Sequence, residues 1–373
     1  ADLAALTGDA DYVAAIDRIW EDVVGRKLYV TGGIGAQHKG EAFGDAYELP
    51  NRTAYAETCA AIANVFWNHR LFLLHGDAKY IDVLERALYN GVLAGVSLSG
   101  DRFFYPNPLA SDGEFNFNAG RAPTRSPWFD CSCCPSNLVR FLPSLSGYVY
   151  AQRDDAVYVN LFIGGEGRLR VRETSVRLWQ TTRYPWDGAV KLFVEPDATV
   201  EFTLYLRIPG WAQGQPVPSD LYSYLHRGDF PVSLSVNSEP WPVETERGFV
   251  PIHRTWQRGD QVNLVLPMPV RRVVAHERVM ADRGKVSLER GPLVYCAEGV
   301  DHAASVFDLV VSDGAPLRAE RRPDLLGGIP VLRGPVQTAV GVSTTLTAVP
   351  YHLWSHRGVG EMAVWLARRP TTV

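Results

Sequence analysis

The sequence predicts a multidomain α plus β protein, with helices in the first part of the chain and strands in the remainder. Apolar residues recur at every third or fourth position up to about Gly147, and beyond it they alternate with polar residues. The strands are many and short, with turn residues between them, which favours β-sandwiches. At 373 residues the chain has room for two or three domains. We expect one sandwich up to about Pro269 and a second, smaller β region from Val270 to the end.

Three amphipathic helices are predicted in the first part. Their apolar stripes cover residues 9–24, 55–74 and 77–92, and Gly25 is expected to stop the first helix. His75-Gly76-Asp77 combines a turn glycine with an aspartate that can cap the next helix. The second and third helices should therefore form a hairpin.

In the second part, strands are predicted where Val, Leu, Tyr and Phe alternate with polar residues. These segments cover residues 156–162, 190–194, 199–208, 232–236, 261–266 and 285–288, with Gly, Pro, Asp and Asn between them.

Composition and charge exclude several classes of partner. The formal net charge of −4 provides no basic field for nucleic acid or an anionic membrane. No stretch approaches the ~18 uninterrupted apolar residues of a membrane span. We therefore expect neither nucleic acid nor a membrane as a partner. The sequence starts without a secretion signal, and its clustered cysteines are typical of a reducing compartment, so we expect a cytoplasmic location.

Three of the five cysteines fall within the motif CSCCPSN at residues 131–137. Proline is favoured at the first position of a helix, so Pro135 is expected to begin one and to place Cys133 and Cys134 at its amino end. The helix dipole there favours thiolate, the form that binds metal and attacks as a nucleophile. The motif therefore indicates metal binding or thiol chemistry.

Upstream, AETC at residues 56–59 supplies a carboxylate and a further thiol. Side chains two residues apart point to nearly opposite sides of a helix, so Glu57 and Cys59 can share an ion only if the backbone there is extended or irregular. Together with Cys133 and Cys134 they would form a Cys3Glu site suited to zinc. Buried structural cysteines, or a vicinal disulfide between Cys133 and Cys134, remain as alternatives.

The glycine-rich segment 31–44 does not predict a nucleotide site, because Gly33-x-Gly35 has no glycine three positions on and no βαβ context. It is better interpreted as an active-site loop that presents Glu41, with Asp45 and Glu48 as rival carboxylates. Any of these acids could instead be a solvated surface charge.

Aromatic residues near the cysteine motif are typical both of sugar sites and of protein cores. They lie in the segment 103–108, which includes Tyr105, and at Trp128 and Phe129. His38, His69 and His75 are candidate ligands or, equally, polar structural partners.

These segments, in this order, resemble glycoside hydrolase family 127, whose characterised members include β-L-arabinofuranosidases. The matching text is TGGIGAQHKGEAFGDAYELPN at 31–51, AYAETCAA at 54–61, LERALYNGVLAGVSLSGDRFFYPNPL at 84–109, CSCCPSN at 131–137, LPMPVR at 266–271 and RGPLVYC at 290–296. The resemblance covers essentially the whole chain, and AETC with CSCCP is its specific part.

The resemblance implies an (α/α)6 barrel followed by two β-sandwich domains. Such a barrel needs about twelve helices, and the chain has room for only four or five before its β part. We therefore expect the carboxy-terminal portion of a family protein. Residues 1–148 would be part of the barrel, 149–269 a β-sandwich and 270–373 a smaller β-sandwich.

The resemblance also implies roles for individual residues. Zinc would be bound by Glu57, Cys59, Cys133 and Cys134, with Cys133 as nucleophile. Glu41 would be the general acid/base, and Tyr105 and His38 would contact the carbohydrate substrate. The implied activity is that of a retaining glycosidase releasing β-L-arabinofuranose, although the isolated chain could lack part of its pocket.

Two other classes of function stay open at this stage. A zinc ion could activate water with Glu41 as its base, although four protein ligands leave no open position. Alternatively the zinc could be purely structural, with the sandwiches binding carbohydrate or partner domains.

Overall fold

The computed structural model of the chain describes residues 1–226 and 228–370. These residues contain six α-helices, all before Tyr150: α1 (Asp2–Thr7), α2 (Ala10–Arg26), α3 (Thr58–His75), α4 (Ala78–Arg86), α5 (Cys133–Phe141) and α6 (Ser146–Val149). None of the helices in the described part of the chain is long and apolar enough to cross a membrane.

The first predicted helix is present as α2, but it does not end at Gly25. Its start is capped by Asp9, whose carboxylate accepts a hydrogen bond from the Asp11 N–H at 2.8 Å. The helix continues to Arg26, so the predicted stop is wrong. Val23 and Val24 are buried in this last turn, and their burial outweighs the cost of about 1 kcal/mol for glycine inside a helix.

The predicted hairpin of the second and third helices is confirmed by α3 and α4. Gly76 ends α3 in the left-handed conformation, with φ of 67°. The Asp77 carboxylate then accepts a hydrogen bond from the Lys79 N–H at 2.9 Å, which caps α4. Both signals act as the sequence predicts.

A π-helical turn, Ala87–Val92, continues α4 and packs against the glycine-rich segment. Gly32 has a φ of 77°, and a Cβ there would lie 2.5 Å from the backbone nitrogen of Ala87. A Cβ on Gly33 would lie 3.1 Å from the Cβ of Ala56. These glycines allow close backbone packing. This packing explains why the segment is rich in glycine, and no bound nucleotide is needed to explain it.

All the strands of the described residues except β1 lie after Val149. They are β1 (Ala110–Asp112), β2 (Tyr150–Arg153), β3 (Ala156–Val159), β4 (Gly165–Val171), β5 (Thr174–Thr182), β6 (Ala189–Pro196), β7 (Val200–Arg207), β8 (Tyr222–Tyr224), β9 (Ser233–Val236), β10 (Glu239–Pro240), β11 (Phe249–Trp256), β12 (Asp260–Val265), β13 (Val270–Ala275), β14 (Lys285–Arg290), β15 (Leu293–Glu298), β16 (Leu309–Ser312), β17 (Arg318–Arg322), β18 (Ile329–Thr338), β19 (Ser343–Pro350), β20 (Glu361–Ala363) and β21 (Leu366–Arg369). Each strand predicted from alternation is present, with ends shifted by a few residues.

The strands from β2 to β12 form two sheets, except for β8, which pairs with β13. One has six strands in the order β10-β9-β12-β6-β5-β4, and the other has four in the order β11-β7-β3-β2. Alternate residues of β5, β6 and β7 are buried, as expected for sheets with one face towards a core.

The strands after Val270 differ from the expected second β-sandwich. β15, β19, β18, β16, β21 and β14 pair in a closed ring, which is a six-stranded β-barrel. Neighbours in the ring are antiparallel except for β16 and β21. Alternation predicts strands equally well for a sandwich and a barrel, and closure depends on the pairing of β14 with β15, which the pattern does not specify.

Buried ion pairs connect the helices to the β part. Both guanidinium ends of Arg86, in α4, bond to the carboxylate of Glu289 in β14, at 2.6 and 3.2 Å, and Tyr224 donates to the same carboxylate at 3.0 Å. Arg207 in β7 pairs in the same way with Asp82 and Glu85 of α4. α4 is therefore held by charges from two β units.

We predict that Glu289→Gln lowers the free energy of unfolding by about 3–5 kcal/mol, because it leaves the buried Arg86 charge without its partner. Denaturant titration would measure the change. Asp324→Asn is the control: it breaks an exposed pair with Arg322 and should cost less than about 1 kcal/mol. Equal losses in the two variants would contradict the prediction.

Candidate active site

The side chains of Glu57, Cys59, Cys133 and Cys134 converge between the first turns of α3 and α5. Their potential ligand atoms all lie within 4.8 Å of one another. Sγ of Cys134 is 3.4 Å from Sγ of Cys59 and 3.9 Å from Sγ of Cys133. Oε1 of Glu57 is 3.4 Å and 3.5 Å from the sulfurs of Cys134 and Cys133. All the cysteines are free, so the vicinal disulfide is not formed.

An irregular backbone brings Glu57 and Cys59 to the same point, as the sequence requires. Ala56 has a φ of 37°, Glu57 is extended with ψ of 143°, and α3 begins only at Thr58. The Ala56 N–H donates to the carbonyl oxygen of Gly35 at 2.7 Å. The glycine-rich segment therefore holds the peptide that precedes the carboxylate.

The cysteine motif begins α5 earlier than predicted. The helix starts at Cys133, two residues before Pro135, so the expected start at the proline is wrong. A proline in the first turn lacks only an N–H that has no partner within the helix, and the position is therefore tolerated. Two helix amino ends, those of α3 and α5, meet at the thiols, and both dipoles favour negative charge there.

Without a metal ion, the surroundings of the cluster favour ionisation of only one thiol, that of Cys59. The pKa of Cys59 is lowered by hydrogen bonds from the Cys134 thiol and from Nδ2 of Asn137, which lies 2.9 Å away. Burial raises the pKa of Cys133 to about 12. The pKa of Cys134 is also raised, because its proton is held by Cys59 and the site is buried. A divalent cation among these groups would favour loss of all three protons.

The donor geometry fits a tetrahedral zinc ion. Two sulfurs at 2.3 Å from one tetrahedral zinc lie about 3.8 Å apart, and a sulfur and a carboxylate oxygen about 3.5 Å apart. The separations of Cys134 from Cys133 and of Glu57 from both sulfurs are close to these values, whereas the sulfurs of Cys59 and Cys134, at 3.4 Å, are closer together than in the ideal site. Glu57, Cys59, Cys133 and Cys134 are thus a suitable ligand set.

A cavity of about 470 Å³ lies beside the cluster. Its walls are mostly aromatic and polar: His38, Glu41, Tyr55, Tyr105, Pro106, Phe115, Asn116, Phe117, Ala119, Gly120, Arg121, Phe129, Asp130 and Cys131. Tyr105 joins the cavity to the thiols, since its Oη lies 3.0 Å from Sγ of Cys133. The volume is ample for a sugar unit.

Glu41 is the loop acid that lines this cavity. The Tyr55 hydroxyl donates to its Oε1 at 2.8 Å, and the ring of His38 packs edge-on against Tyr55 with centroids 4.7 Å apart. The rival Glu48 instead accepts hydrogen bonds from the Asp45 N–H, at 2.7 Å, and from the Gln37 side chain. Glu48 therefore shapes the loop.

The remaining candidate histidines have other partners. His75 pairs with Asp17 at 2.9 Å. His69 packs against Tyr148, with ring centroids 4.5 Å apart, and burial lowers the pKa of His69 to about 4. Trp128 is exposed, whereas Phe129 is buried with its ring edge-on to Tyr105. Of the three candidate histidines, only His38 lines the cavity. Of the pair Trp128 and Phe129, only Phe129 does.

Tyr55 and Asn137 are site residues that the sequence does not predict. Tyr55 precedes the left-handed Ala56, and its hydroxyl reaches Glu41. Asn137 lies four residues after Cys133, on the same face of a helix. The spacing of Asn137 from Cys133 was a usable signal, whereas the direction of Tyr55 depends on the irregular backbone at Ala56.

We predict that the chain binds one zinc ion and that Cys134→Ser weakens binding by more than the 10–100-fold typical of outer-shell changes. Elemental analysis after dialysis against a graded chelator would measure it. Cys131→Ser removes a thiol that is outside the cluster and should bind zinc like the unaltered chain. Loss of zinc in both variants, or in neither, would contradict the ligand set.

Family profiles match almost the entire chain. The glycoside hydrolase family 127 catalytic domain, described as β-L-arabinofuranosidase, matches residues 1–147. The middle domain of the same family matches residues 156–268, and the carboxy-terminal domain matches residues 270–367.

Known proteins agree with these matches. The non-reducing end β-L-arabinofuranosidase of Bifidobacterium longum subsp. longum is 34% identical, over 99% of this chain and 57% of the relative. A solved GH127 β-arabinofuranosidase superposes with a TM-score of 0.93 at 47% identity, covering 99% of this chain and 58% of that one. A GH127 β-L-arabinofuranosidase from Geobacillus stearothermophilus T6 gives 0.90 at 41% identity, covering 98% and 58%. The chain spans somewhat more than half the length of these relatives, and it belongs to glycoside hydrolase family 127.

Proposed function

We propose that the protein is a retaining glycoside hydrolase that releases β-L-arabinofuranose from arabinosides, with Cys133 as nucleophile and Glu41 as general acid/base. The observation that carries this proposal is the cavity with Glu41 and Tyr105 on its wall, where the Oη of Tyr105 lies 3.0 Å from Sγ of Cys133. The named activities of the similar proteins support the choice of sugar.

Glu57, Cys59, Cys133 and Cys134 would hold zinc. When bound, the ion would supply positive charge that keeps the thiols deprotonated and fixes the direction of the sulfurs. Four protein donors complete a tetrahedral set, which disfavours a metal-bound water as the attacking group. A purely structural site would have no need of the adjoining cavity.

Glu41 would protonate the departing glycosidic oxygen in the first step. The hydrogen bond from Tyr55 holds one carboxyl oxygen, Oε1, and leaves Oε2 for the substrate. In the same step the sulfur of Cys133 attacks the anomeric carbon, and a carbon–sulfur bond forms as the carbon–oxygen bond breaks.

The second step would use the same groups in reverse. Glu41, now ionised, accepts a proton from water, which attacks the anomeric carbon and releases the thiolate of Cys133. Tyr105, whose Oη lies 3.0 Å from this sulfur, is placed to donate a hydrogen bond to it. Two displacements at one carbon give net retention of configuration. In carboxylate enzymes of this type the two groups are about 5–5.5 Å apart, and we expect a similar scale here.

We also propose that residues 1–148 form part of an (α/α)6 barrel, with 149–269 as a β-sandwich domain and 270–373 as a separate β domain. The remaining helices of such a barrel would complete the cavity wall. We therefore expect the isolated chain to turn over substrate slowly.

The nucleophile is tested with an arabinofuranoside that carries an activated nitrophenyl leaving group. We predict that the chain forms a covalent adduct of one pentose unit on Cys133, found by peptide mass spectrometry after acid quenching. Cys133→Ser should show no adduct and should lose nearly all activity, whereas Cys131→Ser, which alters the cavity wall but not the thiol cluster, should still form the adduct on Cys133. An adduct elsewhere would remove Cys133 from the mechanism.

The role of Glu41 as general acid/base is tested by comparing two substrates whose leaving groups differ in their need for protonation. We predict that Glu41→Gln slows hydrolysis of an alkyl arabinofuranoside by about 10²–10⁴-fold, because proton transfer to its poor leaving group is lost. Release of nitrophenol in the first turnover should fall much less, since this group departs without protonation. Glu48→Gln is the matched control, because that acid bonds within its own loop. Equal loss with both substrates would contradict the role of Glu41.

A further inference from the structure

We infer that Arg125 is a positioning residue that uses the carboxy-terminal β-barrel to hold Tyr105 against Cys133. Arg125 is buried, with only 4% of its surface exposed. Among residues 1–226 and 228–370, no carboxylate lies within ion-pair distance of its guanidinium. An unpaired buried cation is costly, so its surroundings must supply compensating dipoles.

Backbone carbonyls from two parts of the chain supply those dipoles. From the helical part, the Ala94 carbonyl accepts from Nε at 3.2 Å and from Nη2 at 2.9 Å. From the segment after β19, the Trp354 carbonyl accepts from Nη1 at 2.7 Å and the His352 carbonyl from Nη2 at 3.3 Å. Nδ1 of His356 lies a further 3.3 Å from Nη1. Arg125 thus connects Ala94, just after the π-helical turn, to the segment that follows β19 of the barrel.

The guanidinium also lies over the ring of Phe104, 4.2 Å from its centroid. The same ring, fully buried, stacks with Trp354 at 5.0 Å and an interplanar angle of 20°. Such contacts fix the plane and position of an aromatic side chain. Phe104 directly precedes Tyr105, so the fixed ring determines where the Tyr105 side chain begins.

The backbone around Phe104 is coupled to the thiol cluster as well. The Thr58 hydroxyl donates to the Phe104 carbonyl at 2.8 Å, and the Thr58 N–H donates to the Tyr105 carbonyl at 2.9 Å. Thr58 stands between Glu57 and Cys59. The position of Phe104 therefore affects both the phenol that contacts Cys133 and the peptide that carries two of the cluster groups.

The barrel segment that holds Arg125 is itself anchored. The Ser355 N–H donates to Glu298 at the end of β15 at 2.8 Å, and Arg357 bonds to Asp301 at 2.7 Å. Thr124, which directly precedes Arg125 in the sequence, adds a further contact, because its hydroxyl lies 2.8 Å from that of Ser355. A rigid barrel edge thus extends to the cavity wall, and a small displacement there would move Tyr105.

The test places 3-fluorotyrosine in the full chain and follows Tyr105 by ¹⁹F NMR, with Tyr105→Phe identifying its resonance. We expect Arg125→Lys to shift or broaden this resonance, because lysine provides fewer and differently directed donors and a poorer stacking group. Arg86→Lys is the matched control, since Arg86 is also buried and bonds the helices to the barrel, through Glu289. It should leave the Tyr105 resonance in place.

An unchanged Tyr105 resonance in Arg125→Lys, or an equal change in Arg86→Lys, would overturn the inference. If Arg125→Lys does not fold, Phe104→Leu removes the transmitting ring and should move the same resonance. This measurement needs no turnover, so it stands apart from the glycosidase proposal.

A kinetic cycle, which rests on the proposed function, provides a second readout. Arg125→Lys should lower kcat by about 10–100-fold, with KM changed less than about twofold, as expected for a misplaced catalytic contact. In a Tyr105→Phe background the same change should have little further effect. Full additivity of the two substitutions would assign Arg125 a general structural role instead.

Discussion

Crowding of three sulfurs and one carboxylate at a single point is the constraint on which the site depends. Their atoms lie within 4.8 Å of one another and are at least half shielded from water, so their negative charge needs compensation. The protein supplies two helix amino ends and the Asn137 amide, which together are weaker than a divalent cation. The left-handed Ala56, the extended Glu57 and the glycines that pack beneath them follow from the need to bring these groups together.

The sequence predicted the grouping of the four cluster residues better than the structure that supports them. It required an extended or irregular backbone if Glu57 and Cys59 were to share one ion, and that backbone is present. The hairpin at Gly76 and the positions of most strands also followed from local signals. Local signals failed where tertiary packing decides: α2 passes through Gly25, and the last strands close into a barrel. Tyr55 was missed for the same reason, because its direction depends on the irregular segment.

Long-range contacts connect the carboxy-terminal β domain to the candidate site. β1 leaves the helical part and pairs with β20, and α4 is fixed by Glu289 in β14. Arg125 adds a link that ends one residue from Tyr105. None of these partners is near the others in sequence, so no local pattern predicts them. The barrel thereby acts as a rigid support for a wall built from loops.

Two tyrosines lie between Glu41 and Cys133, the acid/base and nucleophile proposed above. Burial raises the pKa of both Tyr55 and Tyr105, so each keeps its proton. Tyr55 holds Glu41 and Tyr105 contacts Cys133, and their ring centroids are 6.2 Å apart. A neutral phenol donates to an anion without adding charge, so Glu41, on the cavity wall, and Cys133, which lies behind Tyr105, each have a fixed dipole beside them. Donors placed in advance avoid reorganisation during bond breaking, which is a main source of catalytic rate. Substitution of either phenol would therefore affect the spacing as well as one hydrogen bond.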